Sequence, residues 1–260
     1  MKRTALASLA LLAACGGNGA NAALSHTFSY GAPQPATSSE ASAAASAQTS
    51  LSSAASFSTS PSADKGYSVL DFAAVLSDAA LGSSGFVMPR GTKSPSSALR
   101  SMADISTCTT VAGNTVTFSN CSDSSTGFAI TLNGSITAAA GVVSWGITGN
   151  FSGSENNESF NIDINEGGNF TITASQVTGN ATYGIGGSAS AQGTSISFGL
   201  DAATLVDLAF QTTPSFCVTT GDVEVKRVWT QVPQGATATD AGVKIGWSAC
   251  NGAVTVAHSQ

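Results

Sequence analysis

The sequence predicts a mainly β protein, an antiparallel meander of about eleven to thirteen strands closed as a barrel or folded as a sandwich, with one short N-terminal helix. Three observations carry this prediction. Apolar residues recur at every second position from about residue 106 onward. Turn-forming residues separate these runs, and the same region holds four cysteines, as exported proteins stapled by disulfides do.

The alternation of apolar and polar side chains continues to the C-terminus. Phe160, Ile162 and Ile164, for example, are separated by Asn and Asp. This period of two indicates strands with one buried and one solvated face. Glycine-containing segments, such as 112–114 and 251–252, separate the runs and predict hairpin turns.

The first residues have the order of an export signal. Lys2 and Arg3 precede an apolar run from Ala5 to Ala14, which is too short to span a bilayer. The run ends in Leu12-Ala13-Ala14-Cys15, which resembles the lipobox of the bacterial lipoprotein class. The resemblance covers residues 1–15 only. The alternative is an ordinary signal peptide with a chance cysteine, since Ala7 to Ala13 could imitate a small-x-small cleavage site.

The lipoprotein resemblance implies how the chain is processed. Residues 1–14 would be removed, and Cys15 would carry lipid that anchors the protein in a membrane. Two or more acyl chains give stable anchoring, whereas one gives marginal binding. In this class an Asp after the cysteine favours inner-membrane retention. Gly16 therefore implies the outer membrane of a Gram-negative bacterium, without indicating the surface or the periplasmic side.

The composition of residues 15–63 predicts a disordered linker that begins at the lipidated cysteine. Ser, Ala, Gly, Thr and Pro dominate, and few large apolar groups are available to offset the entropy of ordering. A random coil of about 48 residues would place the folded part roughly 35–40 Å from its anchor.

Residues 64–105 lead into the β domain at 106–260. Ser68 precedes Asp71 by three residues, as in a capping box, and Gly82 supplies a stop. Apolar residues recur between them at helical spacing. The pattern predicts one helix over 68–81 and a loop over 88–97.

Four cysteines remain once Cys15 is assigned to lipid, and they allow three pairings. A hairpin that turns at 113–114 brings Cys121 within two residues of the position opposite Cys108, on the same face. Cys217 and Cys250 fit a link between neighbouring strands. We therefore favour Cys108–Cys121 and Cys217–Cys250. A zinc site is the alternative, but it would need close pairs such as C-x₂-C, which the sequence lacks.

The charge distribution excludes polyanionic partners. The net charge is −6, and no Lys or Arg occurs between Arg100 and Lys226, a stretch that holds ten acidic residues. Such a surface repels nucleic acid and anionic lipid headgroups, so neither is expected as a direct partner.

The sequence offers no catalytic constellation and implies no cofactor. His26 lies in the predicted linker, and His258 lies three residues from the end of the sequence. The nearest approach to a G-x-S-x-G nucleophile motif, at 186–190, fails at its last position. We therefore expect the protein not to be an enzyme.

Two weaker candidate sites remain. The acidic residues Glu155, Glu158, Asp163 and Glu166 could serve a glycosidase or bind Ca²⁺, although solvated hairpin charges explain them as well. Trp145 and Trp247 are in phase with the core. The third tryptophan stands beside the main basic spot, so a candidate surface-binding site comprises Lys226, Arg227 and Trp229.

These observations favour a lipid-anchored envelope lipoprotein with a structural or binding role. One alternative is a lipocalin-like carrier of an apolar ligand, held inside a barrel. Another is a glycan-acting enzyme that uses the acidic hairpin.

Overall fold

The computed structural model describes residues 21–55, 107–125, 128–155, 158–191, 194–250 and 252–260. They form two helices and eleven strands. The helices are α1 (Ala22–Ser25) and α2 (Ser38–Ala55). The strands are β1 (Gln34–Pro35), β2 (Thr109–Ala112), β3 (Thr115–Ser125), β4 (Phe128–Ala139), β5 (Val142–Glu155), β6 (Glu158–Ile172), β7 (Gln176–Ala191), β8 (Thr194–Gln211), β9 (Cys217–Gln231), β10 (Ala241–Trp247) and β11 (Thr255–His258).

All eleven strands belong to one antiparallel sheet, which confirms the mainly β prediction. Strands β2 to β11 follow one another as a meander, and the short β1 adds to the far edge beside β11. Within the described residues, β1 and β2 are not hydrogen-bonded to each other, so the sheet is not closed. The strand count matches the prediction, and the architecture is a single open sheet.

The alternating apolar residues lie on one face of this sheet, which we call the inner face. Their side chains form one continuous core cluster that extends from β3 to β11. Both tryptophans predicted to be core residues, Trp145 and Trp247, are buried there. The opposite, outer face is largely polar, except where the N-terminal segment covers β8 and β9.

The linker prediction is wrong for residues 21–55, which pack on the sheet. Ala44, Ala47 and Leu51 recur at helical spacing in α2 and are buried in the inner-face cluster. Alanine is the best helix former, and three small apolar groups suffice where a large apolar surface already exists to receive them. The linker prediction considered only large apolar residues and therefore missed the packing of α2. The helix predicted over 68–81 and the loop over 88–97 lie outside the described residues.

A capping box fixes the start of α2. The backbone N–H of Thr37 donates to Glu40 Oε2 at 2.7 Å, and the N–H of Glu40 donates back to Thr37 Oγ1 at 3.4 Å. These reciprocal bonds satisfy donors that a helix N-terminus leaves open. Oε1 of Glu40 also lies 3.0 Å from Nε2 of His258, and this contact ties α2 to β11.

Both predicted disulfides are present, Cys108–Cys121 and Cys217–Cys250. Val111 pairs with Val116 across the β2–β3 hairpin, as expected. The two-residue offset of Cys121 is absorbed by an irregularity in β3 between Phe118 and Cys121, where the pairing with β4 shifts register. The Cα atoms of this pair lie 5.1 Å apart, within the usual range for a disulfide.

Replacement of Ala47 by Glu tests whether α2 belongs to the folded core. The variant would bury a carboxylate without a partner, so we expect the free energy of unfolding to fall by about 2–4 kcal/mol in urea titrations. The matched control is Ala45→Glu, because Ala45 is exposed on the same helix. Equal stabilities of the two variants would contradict the packing of α2.

Candidate functional site

The basic spot predicted on the surface is buried, which corrects that prediction. Lys226 and Arg227 are only 7% and 6% exposed, and Trp229 is partly buried against the core cluster. Neighbouring residues of a strand point to opposite faces. Lys226 therefore lies on the outer face under the N-terminal segment, whereas Arg227 lies on the inner face beside Ala202.

The cover on the outer face is the strap, which we define as residues 21–37. Its first residue is anchored on the two central strands, because Asn21 Nδ2 donates to the carbonyls of Tyr183 and Ala202 at 3.3 and 3.2 Å. The N–H of Ala22 donates to Asp201 Oδ2 at 2.7 Å. Apolar contact follows, as Ala23 packs with Ala203 and Val228 in a second cluster.

Lys226 is satisfied beneath this strap. Its Nζ donates to the carbonyl of His26 at 2.8 Å and lies 3.6 Å from Glu224 Oε1. The hydroxyl of Tyr30 donates to the same Glu224 oxygen at 2.7 Å. Burial, followed by the hydrogen bond to Glu224, raises the pKa of Tyr30 well above its usual value. The phenol therefore remains a donor at neutral pH.

Gly242 on β10 makes room for the end of the strap. A Cβ at this position would stand 2.6 Å from the hydroxyl oxygen of Tyr30 and 2.8 Å from a ring carbon of Phe28. Both aromatic side chains therefore lie directly over the backbone of β10. Any larger residue at 242 would displace them.

On the inner face, one row of paired residues carries two charged side chains, Glu166 and Arg227. Glu166 pairs with Tyr183, Tyr183 with Ala202, and Ala202 with Arg227. We call these four residues the polar row. Glu166 and Arg227 are three strand spacings apart, which is about 14 Å along the sheet.

The guanidinium of Arg227 is only partly satisfied. Its Nη2 donates to the carbonyl of Thr239 at 3.0 Å, but Nε and Nη1 are buried without an acceptor among the described residues. Asp240 lies nearby, yet its Oδ1 accepts the backbone N–H of Trp229 at 2.9 Å. Burial lowers the pKa of Arg227, and the charge of Asp240 opposes that shift. An arginine nevertheless stays protonated in proteins.

Two more buried polar atoms lie in the next row of the inner face. This row pairs Trp145 with Gly168, Gly168 with Ala181 and Ala181 with Thr204. Trp145 Nε1 and Thr204 Oγ1 are buried without a hydrogen-bond partner in the described part of the chain. The row on the other side of the polar row is apolar and consists of Ile164, Ile185, Leu200 and Trp229.

The four acidic residues do not form one site. Asp163 is on the exposed outer face, where Asn150 Nδ2 donates to it at 2.8 Å, whereas Glu166 is buried on the inner face. Glu155 pairs with Glu158 at the end of the β5–β6 hairpin, about 26 Å along β6 from Glu166. The described residues contain no cluster of three or more metal-ligating side chains. The separation of these residues therefore gives no support to the Ca²⁺ hypothesis for this quartet.

The inward position of Glu166 and Arg227 was readable in the sequence. Glu166 is in phase with Ile162 and Ile164, and Arg227 with Val223 and Val225. Because both residues are charged, the prediction placed them on the solvated face, against this alternation. The partners Asn21, Tyr30 and Asp240 had no such signal, because they lie in irregular segments or depend on long-range pairing.

Comparison with protein-family models, curated proteins and solved structures finds no match to this chain. Cys15 lies outside the described residues. Neither described helix has the length and apolar character needed to cross a membrane.

The environment of Lys226 can be tested with a matched pair of variants. Lys226→Met leaves the His26 carbonyl and the half-buried Glu224 without their cation, so we expect the free energy of unfolding to fall by about 1–3 kcal/mol. Lys244→Met removes a cation from the exposed pair with Asp222, where the Lys244 side chain is 44% exposed. That control should change stability by at most about 1 kcal/mol in the same denaturation assay. A small loss for both variants would exclude the buried network.

Proposed function

We propose that the protein is a lipid-anchored envelope lipoprotein whose β domain is held close to the membrane and has a binding role. The lipobox at 12–15 supplies the anchor in this proposal. The observation that carries the proposal furthest is the strap, because its first residue, Asn21, is bonded to the sheet and is only six residues after Cys15. Those six residues reach at most about 20 Å.

A short tether changes what the anchor does. A coil of about 48 residues would let the domain move freely above the bilayer. With the strap in place, the tether instead leaves from the outer face of β7 and β8, where Asn21 is bonded. This face would therefore lie nearest the membrane, and the rest of the sheet would be presented away from it.

The inner face favours a binding role over a structural one. Ligand sites in proteins are mainly apolar with a few placed polar groups, and the inner face, which is buried in the core cluster, shares that composition through the polar row. This observation supports the carrier alternative as a specific form of the proposal. The glycan-acting alternative loses support, because Asp163 and Glu166 lie on opposite faces of β6.

Membrane fractionation with a Cys15→Ala variant tests the anchor. A C-terminally tagged wild-type chain should pellet with membranes, whereas the variant should remain in the supernatant, because it lacks the acyl chains. Mass spectrometry of the wild-type N-terminal peptide should show acylated Cys15. A variant that still pellets would contradict lipid anchoring.

Protease treatment of intact and lysed cells then assigns the side of the membrane. Loss of the tag from intact cells would place the domain at the surface, where it meets external ligands. Loss only after lysis would place it in the periplasm, which suits a carrier. If the tag resists the protease in lysed wild-type cells, the destabilised Ala47→Glu variant serves as a control for protease activity.

A further inference from the structure

The contacts of the strap follow one another in chain order across the outer face. Asn21 is bonded to β7 and β8, and the carbonyl of His26 accepts a hydrogen bond from Lys226 on β9. Tyr30 lies over β10, and β1 then pairs with β11 at the sheet edge. A pull on the chain before Asn21 therefore loads these contacts one at a time, from β7 towards the edge, and not all together.

Most of the strap is poorly buried. Among residues 21–37, Ala23 alone is buried, and it packs with the small cluster of Ala203 and Val228. Segments with few buried apolar contacts and with exposed hydrogen bonds open at a lower free energy than the core of a protein. The strap therefore has the properties of a segment that opens while the sheet stays folded.

Detachment of the strap keeps the charges beneath it paired. Lys226 loses the carbonyl of His26, and Glu224 loses the hydroxyl of Tyr30. Both charged side chains belong to β9, where Nζ of Lys226 lies 3.6 Å from Oε1 of Glu224. Water reaches these groups once the cover is gone and replaces the two lost hydrogen bonds. The cost of opening is therefore limited to this exchange and to the small apolar contact of Ala23.

The detachment stops where the chain reaches the other face of the sheet. The helix α2 begins directly after the strap, and three of its residues, Ala44, Ala47 and Leu51, are buried in the inner-face cluster. Glu40 also contacts His258 on β11. A pull from the outer side has to bring α2 around the sheet edge before it separates these contacts, so the strap opens first.

We propose that the strap is a releasable part of the tether and gives the domain two reaches above the membrane. With the strap closed, the chain between Cys15 and Asn21 reaches at most about 20 Å. With the strap open, the chain between Cys15 and Thr37 reaches at most about 75 Å. The domain thus follows a bound partner away from the bilayer without unfolding. This inference rests on the proposed lipid anchor, because only an anchored chain is pulled at this end.

Optical-tweezers pulling on the full chain tests the proposal. One handle is attached to Cys15, because the other four cysteines are paired in disulfides, and the second to a peptide tag inserted between β5 and β6. We expect a first, reversible transition that lengthens the chain by about 40–50 Å at full extension, before the sheet unfolds. This gain is the contour length of residues 21–37 less the width of the strands that they cross.

Tyr30→Phe and Lys244→Met form a matched pair of variants. Tyr30→Phe keeps the ring over Gly242 but removes the hydrogen bond to Glu224, so the ratio of closed to open strap should fall about tenfold at a given force. Lys244→Met removes a cation whose partner is Asp222, outside the strap, and should leave this ratio unchanged. Unfolding of the sheet should remain a separate, later transition in both variants.

The proposal is overturned by a single transition in which strap and sheet open together, or by an early gain that exceeds the strap because α2 leaves with it. An early transition that Tyr30→Phe does not affect would overturn it as well. Because the handle is bound directly to the thiol of Cys15, the result does not depend on lipidation in cells. Failure of lipid anchoring and absence of the early transition are therefore separate outcomes.

Discussion

The burial of both faces of strands β8 and β9 is the constraint on which the rest of this structure depends. A strand in a one-layer sheet usually has a solvated face, but Ala203, Lys226 and Val228 on the outer face are as buried as the core residues opposite them. The strap makes this possible. Without residues 21–37, an ammonium group and a small apolar cluster would lie open on the outer face. The N-terminal segment is therefore part of the domain.

Two adjacent cations show how the fold handles buried charge. For Lys226, the compensation is internal and comes from Glu224, the His26 carbonyl and, indirectly, the Tyr30 hydroxyl. For Arg227, the described residues supply a single carbonyl and a carboxylate that is already engaged. The first arrangement holds the strap on the sheet, and the partners that compensate the charge of Lys226 all belong to this chain. The second leaves two donor nitrogens of Arg227 without an acceptor among the described residues.

The sequence predicted what depends on local period and missed what depends on long-range packing. Alternation located the strands, and strand parity with a bulge located both disulfides. The ordered packing of residues 21–55 was missed because their Ala and Ser residues resemble those of a linker when the surface that receives them is unknown. Thr37 and Glu40 nevertheless have the spacing of a capping box. Glu166 and Arg227 were misplaced for a different reason. The strand alternation places both residues on the core face. Charged residues are rarely buried without a partner, so the prediction placed them on the solvated face instead.

The strap and the polar row meet at the same point of the sheet, from opposite faces. Asn21 bonds the carbonyls of Tyr183 and Ala202, and these two residues belong to the polar row that ends at Arg227. The backbone that carries the row on the inner face is thus held on the outer face by Asn21, six residues after the proposed anchor. Fixing that backbone fixes where the guanidinium stands relative to its neighbours. The hydrogen bonds that hold the strap on the outer face therefore also hold the backbone of the polar row on the inner face.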